Sequence, residues 1–257
     1  MSIHELRDQP HWSYSAFNTY LQYPMKYKFR YVDNAPVERT CSALPFGRAF
    51  HAALSERARV GMDLKLTDTK EIFADFFKVE TDAAENLRYK ANETFDSLLN
   101  TGFDMLAATL ENWQDDFAVK SVAVTVPGLW RPLIGEFDCV VSDGSETTIV
   151  DWKTASSKWA SGKADRDLQA SAFCYAYKQI HGTSPVFRFD VITKTKQPSV
   201  NSHYTLRTQD ELDRFEFVAC KIEKAVNAEL FYPNENIINC AECPYADRCK
   251  KATWKGA

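Results

Sequence analysis

The chain has 257 residues, a net charge of −4, 45% hydrophobic and 26% charged residues. That balance excludes disordered, collagen-like and membrane classes and fits one large domain or a core with an elaborated helical part. No stretch approaches the roughly 20 apolar residues of a membrane span.

The opening segment, Met1 to Trp12, lacks the apolar run of a secretory signal. The chain is therefore expected to be cytoplasmic, with no membrane partner. Its seven cysteines then read as thiols or metal ligands rather than disulfides. The charge is uneven: residues 63–118 carry thirteen acidic and five basic residues, a net −8 that leaves +4 for the rest. An acidic segment beside a mildly basic remainder is compatible with local phosphate binding.

Ser13 and Ser15 precede Ala16 to Leu21 as a capped helix start, and Pro24 interrupts or re-aims that helix. The run Lys26 to Tyr31 alternates basic and aromatic residues. It reads either as an amphipathic segment with solvated lysines or as a surface where aromatics stack on bases and cations meet phosphates. Phe46 to Arg59 reads as a helix closed near Gly61. Residues 69–118 read as two or three helices, the last burying Phe103, Leu106, Ala107, Leu110, Trp113 and Phe117.

The period then changes. Val119 to Val126 and Leu133 to Val141 alternate, Asp143-Gly144 makes a turn, and Thr147 to Thr154 is extended, forming a β-hairpin. A helix is predicted at about 165–181, ended by Gly182, then strands at 186–193 and 200–207. Thr208 to Glu211 is a capping box, opening a helix that buries Leu212, Phe215, Ala219, Ile222 and Val226. Helices followed by β-β-β-α-β-β-α predict an α/β fold with a central mixed sheet flanked by helices. The expected division is a helical part at 1–118 packed on a core at 119–236, with a cysteine-rich tail at 237–257, all in one integrated domain.

Strand side chains alternate faces. Ile134, Glu136, Asp138 and Val140 are expected on one face of the first hairpin strand, and Ile149, Asp151 and Lys153 on one face of the second. A tight hairpin brings Asp138 and Asp151 together, and two adjacent carboxylates need a counter-charge. A divalent cation supplies it. Mg²⁺ or Mn²⁺ bound there, with Lys153 beside it, can activate water and stabilise charge on a phosphodiester. The alternative is an exposed hairpin face with ordinary charges.

Gly135-Glu136-Phe137-Asp138 and Ile149-Val150-Asp151-Trp152-Lys153-Thr154 resemble motifs II and III of RecB-like PD-(D/E)xK nucleases. Further landmarks agree in order. Ser13-Tyr14-Ser15 with Tyr23 to Phe29 resembles the family's N-terminal segment. Gly47 to His51 matches its Gly-x-x-x-His motif, Asp167-Leu168-Gln169 the start of its Gln-x-x-x-Tyr helix, and Cys240, Cys243 and Cys249 its C-terminal cysteines. The resemblance implies a restriction-endonuclease-like core. It makes Asp138, Asp151, His51 and the Trp152 carbonyl metal ligands, with Lys153 and Gln169 as catalytic partners. Glu136 is left as a spare carboxylate. Two positions depart from the pattern: Phe173 stands where the tyrosine is expected, and Tyr23 where a cysteine precedes the proline.

Cys240, Cys243 and Cys249 have the spacing of ligands to zinc or to an iron–sulfur cluster of the 4Fe–4S type. Cys41 is the nearest fourth ligand in sequence, and His11 is the histidine a zinc site would take. Cys139, Cys174 and Cys220 read as buried and inert. Lys158, Lys163 and Arg166, with Trp159 among them, leave the active-site strand as a DNA-binding loop. Lys194 with Lys196, and Arg248, Lys250, Lys251 and Lys255, are smaller basic groups. Phosphate contacts of this kind carry little sequence information.

The expected function is a metal-dependent DNA nuclease. The resemblance adds that it acts on single strands or free ends, in replication, recombination, repair or phage DNA processing. No Gly-x-x-x-x-Gly-Lys-[Ser/Thr] occurs, so a helicase or recombination partner would be a separate protein. The alternatives are a catalytically inactive DNA-binding scaffold and a sequence-specific endonuclease, the latter lacking an evident recognition domain.

Overall fold

The computed structural model describes residues 5, 7–113, 118–235 and 240–252. Ser13 caps helix α1 (Tyr14–Gln22), its hydroxyl accepting from the Ala16 N–H. Pro24 opens a short α2 (Pro24–Tyr27) that runs into a π-helical turn at Lys28–Val32. The basic–aromatic run is therefore helical, and Tyr27 and Phe29 are buried. Their rings serve the core and are not available to stack on bases, while Tyr31 is half-buried.

Two residues at Thr40–Cys41 (β1) pair in parallel with Leu87–Arg88 (β2), a link that no sequence pattern suggested. Between them lie α3 (Ala43–Val60) and α4 (Leu66–Asp82); α5 (Phe95–Glu111) follows β2. Gly61 ends α3 with φ +84°. The buried face of α5 is Leu98, Gly102, Met105, Leu106 and Thr109, rotated from the predicted stripe toward Met105. The helix stops at Glu111, so Trp113 lies past its end, and Phe117 falls outside the described residues.

The central sheet has five strands in the order β3 (Ala118–Val124), β4 (Leu133–Ser142), β5 (Thr147–Ala155), β6 (Val186–Thr193) and β7 (Val200–Thr205). Only β5 and β6 pair in parallel; the other neighbours are antiparallel. The parallel step requires a crossover, made by α6 (Lys163–Arg166) and α7 (Leu168–His181), which ends on Gly182 at φ +75°. The capping box at Thr208 opens α8 (Gln209–Asn227) with all five predicted core residues buried. A short α9 (Ala246–Lys251) closes the described chain.

Two apolar clusters lie on opposite sides of the sheet. One joins Trp12, Phe17, Phe137, Phe187 and Phe189 with α7 and α8. The other joins Phe46, Phe50, Phe73, Phe77 and Met105, from α3, α4 and α5, with Cys139, Val150 and Trp152. The chain thus has the mixed central sheet between helices that its sequence predicts.

One prediction about faces fails. Ala118 pairs with Val140 but Lys120 with Phe137, so β4 carries an extra residue between Phe137 and Val140. A bulge of this kind reverses the side-chain alternation beyond it. Phe137 and Val140, three apart, accordingly enter the same cluster. Val140 does not continue the face of Ile134 and Glu136, and Asp138 lies within the bulged stretch.

Gly102 tests the packing of α4 on α5. A Cβ there would lie 2.1 Å from Phe73 Cε1, whereas one on Gly47 would meet nothing within 4 Å. Gly102→Ala is expected to cost about 1–3 kcal/mol in chemical denaturation, and Gly47→Ala to be neutral or stabilising.

Candidate active site

The β4–β5 hairpin places its two aspartates at the same level. The last paired residues are Cys139 and Val150, and Asp138 and Asp151 follow one step beyond. Asp138 Oδ2 accepts from the Trp152 N–H at 2.9 Å, and His51 Nδ1 of α3 lies 3.2 Å from the same oxygen. Asp151 is 3% exposed. Its Oδ1 accepts from Gln169 Nε2 of α7 at 2.5 Å, and Lys153 Nζ stands 2.5 Å from its Oδ2. The two sides of the sheet each contribute: α3 brings His51 to Asp138, and α7 brings Gln169 to Asp151.

Electrostatics follow from that burial. Loss of water pushes the Asp151 carboxyl up to about 6; Lys153 pulls it down, and Asp138 adds to the rise. Burial lowers His51 and Lys153, but Asp138 outweighs it for His51 and Asp151 for Lys153, so both end above their ordinary ranges. Lys153 therefore remains an ammonium. It is the ion-pair partner of the buried Asp151 Oδ2, an oxygen with no hydrogen bond of its own.

Aspartate and imidazole donors are of the hard kind that suits Mg²⁺ or Mn²⁺, and an underused carboxylate oxygen fits such a ligand set. Among the described residues, however, no three His, Cys, Asp or Glu side chains converge as a formed metal group. The acids are instead neutralised within the chain by Lys153 and by His51 when protonated. Trp152 turns its side chain into the core while its backbone lies between the two acids. Glu136, the spare carboxylate, is exposed and pairs with Arg7 at 2.7 Å.

One positioning residue, Arg207, gave no signal in the sequence. Arg207 is 6% exposed, and its guanidinium donates to Ala164 O, Asp167 O, Ser171 Oγ and Thr205 Oγ1. It fixes the turn that leads into α7. Asp167 caps that helix, accepting from the Gln169 N–H and from the Tyr14 hydroxyl at 3.3 Å. Burial and the charge of Asp167 hold Tyr14 well above the usual phenol range, so it stays protonated. Nothing in the residue types of Leu206-Arg207-Thr208 marks the arginine as buried.

Phe173, at the position where the resemblance expects tyrosine, packs edge-on to Phe137 at 5.4 Å, and a Cβ at Gly135 would lie 3.1 Å from its ring. Tyr175 donates to Glu216, and Tyr177 packs on His181 and Phe137. Neither replaces the missing phenol.

The cysteines divide. Cys240, Cys243 and Cys249 line one cavity of about 420 Å³ together with Tyr23. Cys41 lines a separate pocket with Arg88 and Lys90, and His11 is not among the residues around the cysteine cavity. A four-thiolate set with Cys41, and a zinc set with His11, are thus not assembled among the described residues. Cys139 and Cys174 are buried, the latter's thiol pushed up to about 12 by burial, while Cys220 is only half-buried.

Lys158, Lys163 and Arg166 are exposed on the segment between β5 and α7. Lys194 is partly covered over the Phe46 ring at 4.7 Å, Arg248 lies 5.9 Å from the Phe29 ring, and Lys255 falls outside the described residues. No helix among the described residues is long and apolar enough to cross a membrane.

The sequence profile of the PD-(D/E)XK nuclease superfamily matches residues 11–250. Among solved structures, a "putative exonuclease" from Eubacterium rectale has a similar fold: TM-score 0.58 and 13% identity, over 96% of this chain and 90% of that one. The structure of SSO0001 aligns over 93% of this chain and 96% of that one at 11% identity, with a TM-score of 0.41. No curated protein sequence matches the chain.

The raised Asp151 carboxyl gives a pH test. Between the ordinary aspartate value and about 6, the folded chain holds a proton that the unfolded chain has released. Its contribution to stability is thus fullest at low pH and falls as pH rises through that window. In chelating buffer, Asp151→Asn should remove the fall. The variant's Tm advantage over wild type is expected to grow from about pH 4 to about pH 7, and a pH-independent difference would show that the carboxyl is not strained.

Proposed function

The chain belongs to the PD-(D/E)XK nuclease superfamily, and we propose that it is a divalent-metal-dependent deoxyribonuclease, an exonuclease acting on single-stranded or free-ended DNA. The observation that carries this reading is the buried Asp151 carboxylate, held by Gln169 and Lys153 beside the Asp138–His51 pair. Such an arrangement is costly for stability alone, because each carboxylate raises the cost of ionising the other.

Asp138, Asp151 and His51 would hold Mg²⁺ or Mn²⁺, together with the Trp152 carbonyl. The bound ion would supply an activated water and charge stabilisation for phosphodiester hydrolysis. The chain's own groups have definable tasks. Lys153, held protonated by Asp151, places a positive charge where the phosphate becomes more negative. Gln169 fixes the orientation of Asp151, and the Trp152 N–H and His51 fix that of Asp138. Arg207 and Asp167 set the start of α7 that delivers Gln169. Lys158, Lys163 and Arg166 would draw the DNA backbone toward this centre, giving affinity without sequence preference.

An acidic chain can bind DNA if its basic residues are local, and this loop directly follows the catalytic strand. The proposed setting is DNA replication, recombination or repair inside the cell, with any helicase supplied by another protein. An ion or cluster at Cys240, Cys243 and Cys249 would serve to fasten the tail, and metal analysis of purified protein decides whether one is bound.

The direct test is degradation of end-labelled linear DNA against a covalently closed circle of the same sequence, with Mg²⁺ or Mn²⁺. Wild type should degrade the linear strand and spare the circle. Asp151→Ala and Lys153→Ala should each lose about a hundred- to a thousandfold in rate, on the scale of removing a group that stabilises transition-state charge. Cutting of the circle would overturn the exonuclease reading. DNA bound but uncut under either metal would favour the inactive scaffold.

A further inference from the structure

Trp159 lies on the loop that leaves β5, six residues after Lys153. Its indole packs on Phe189, with ring centroids 5.0 Å apart, and on His203 at 5.8 Å. Phe189 in turn has Lys153 Nζ 5.9 Å from its centroid. One buried ring, that of Phe189, therefore lies between the indole and the ammonium at the candidate active site.

A cation also lies on the indole. Lys163 Nζ sits 3.8 Å from the ring centroid, directly on a π face, and Lys163 itself is exposed. Trp159 is only half-buried, with exposed Ser156, Ser157 and Lys158 before it. Gly162, at φ +70°, forms the turn that brings Lys163 back over the ring. The indole thus packs on Phe189 and His203 and carries the solvated Lys163 ammonium on its ring, and an exposed cation–π contact is weaker than the stacking of a nucleobase on an aromatic ring. A base that reaches the ring displaces the ammonium, and the displaced ammonium is left beside the backbone of the same strand, where it can take a phosphate.

We propose that Trp159 is a stacking platform for an unpaired nucleobase next to the scissile phosphate, with Lys163 passing from the ring to the DNA backbone as the base arrives. The proposal rests on the nuclease reading above and deepens it. A base within a duplex has its faces covered by its neighbours, so the platform selects single-stranded DNA. It also gives the basic loop a division of labour: Lys158 and Arg166 attract the strand, and Trp159 sets its register relative to Lys153.

The test uses the full chain carrying Asp151→Asn, so that DNA is bound and not consumed, and reads the affinity of a short labelled single-stranded oligonucleotide. Adding Trp159→Ala is expected to weaken binding by about ten- to a hundredfold, and Trp159→Phe by no more than about threefold. Duplex binding should change little. An abasic residue walked along the oligonucleotide serves as a second probe with the indole in place. One position should lose the same factor as Trp159→Ala, and that loss should vanish in the Trp159→Ala protein. Folded Trp159→Ala protein that binds as tightly as its parent, or a flat abasic scan, overturns the platform and leaves the nuclease reading standing. If the Asp151→Asn parent binds no single strand and the wild type cuts neither single strands nor linear duplex, the nuclease reading falls and the platform falls with it; cutting of linear duplex alone overturns only the platform.

Discussion

Two carboxylates brought side by side, one of them out of water, must be neutralised, and the middle of this molecule is organised around that requirement. Asp151 is almost wholly buried and follows Asp138 across the hairpin. At an effective dielectric near that of a protein site, a neighbouring charge at contact distance is worth about 4 kcal/mol, comparable to a large part of a domain's net stability. The chain meets the demand with Lys153 on one carboxylate and His51 on the other. A divalent cation would meet it better, by drawing both acids at once. The centre is thus poised between internal ion pairs and the proposed metal.

The fold serves that centre from both sides. The helices packed on one face of the sheet carry His51, and the helix on the other carries Gln169, so the hairpin is gripped between α3 and α7. The bulge in β4 falls at Asp138, where the strand stops alternating regularly. Bulges re-aim side chains, and this one accompanies the turn of Asp138 toward the Trp152 N–H and His51. A second buried acid ties the N-terminal segment to the rest: Glu223 of α8 accepts from Trp12 Nε1 and from the Trp130 N–H. Arg207 does the same for the turn before α7, with five acceptors around one buried guanidinium.

Much of this was legible in sequence because it depends on local rules. The strand boundaries, the Asp143-Gly144 turn, the Gly61 and Gly182 helix ends and the capping box at Thr208 all follow from periodicity or from residues with special backbone freedom. Asp138, Asp151 and Lys153 were legible because acids and a lysine at alternate positions of a hairpin form a chemical pattern. Other features depend on contacts between residues far apart. The bulge that turns Val140 to the other face, the pairing of β1 with β2, the burial of Tyr27 and Phe29 and the role of Arg207 all arise from tertiary packing, which the nearby sequence does not encode. Cys41, the substitute nearest to Tyr23 in sequence, lines a pocket with Ala241 and Glu242 rather than the cavity of Cys240, Cys243 and Cys249, a placement that sequence order does not give.

The most direct measurement is a calorimetric titration of Mn²⁺ into wild-type protein and into Asp138→Asn and Asp151→Asn variants. Wild type should bind Mn²⁺ with release of protons at about pH 6, because His51 and Asp151 must both be deprotonated to act as ligands. Either substitution should weaken binding at least about tenfold. Equal binding by all three proteins, or cleavage of DNA by the wild type in the presence of excess chelator, would contradict a metal centre built on this hairpin.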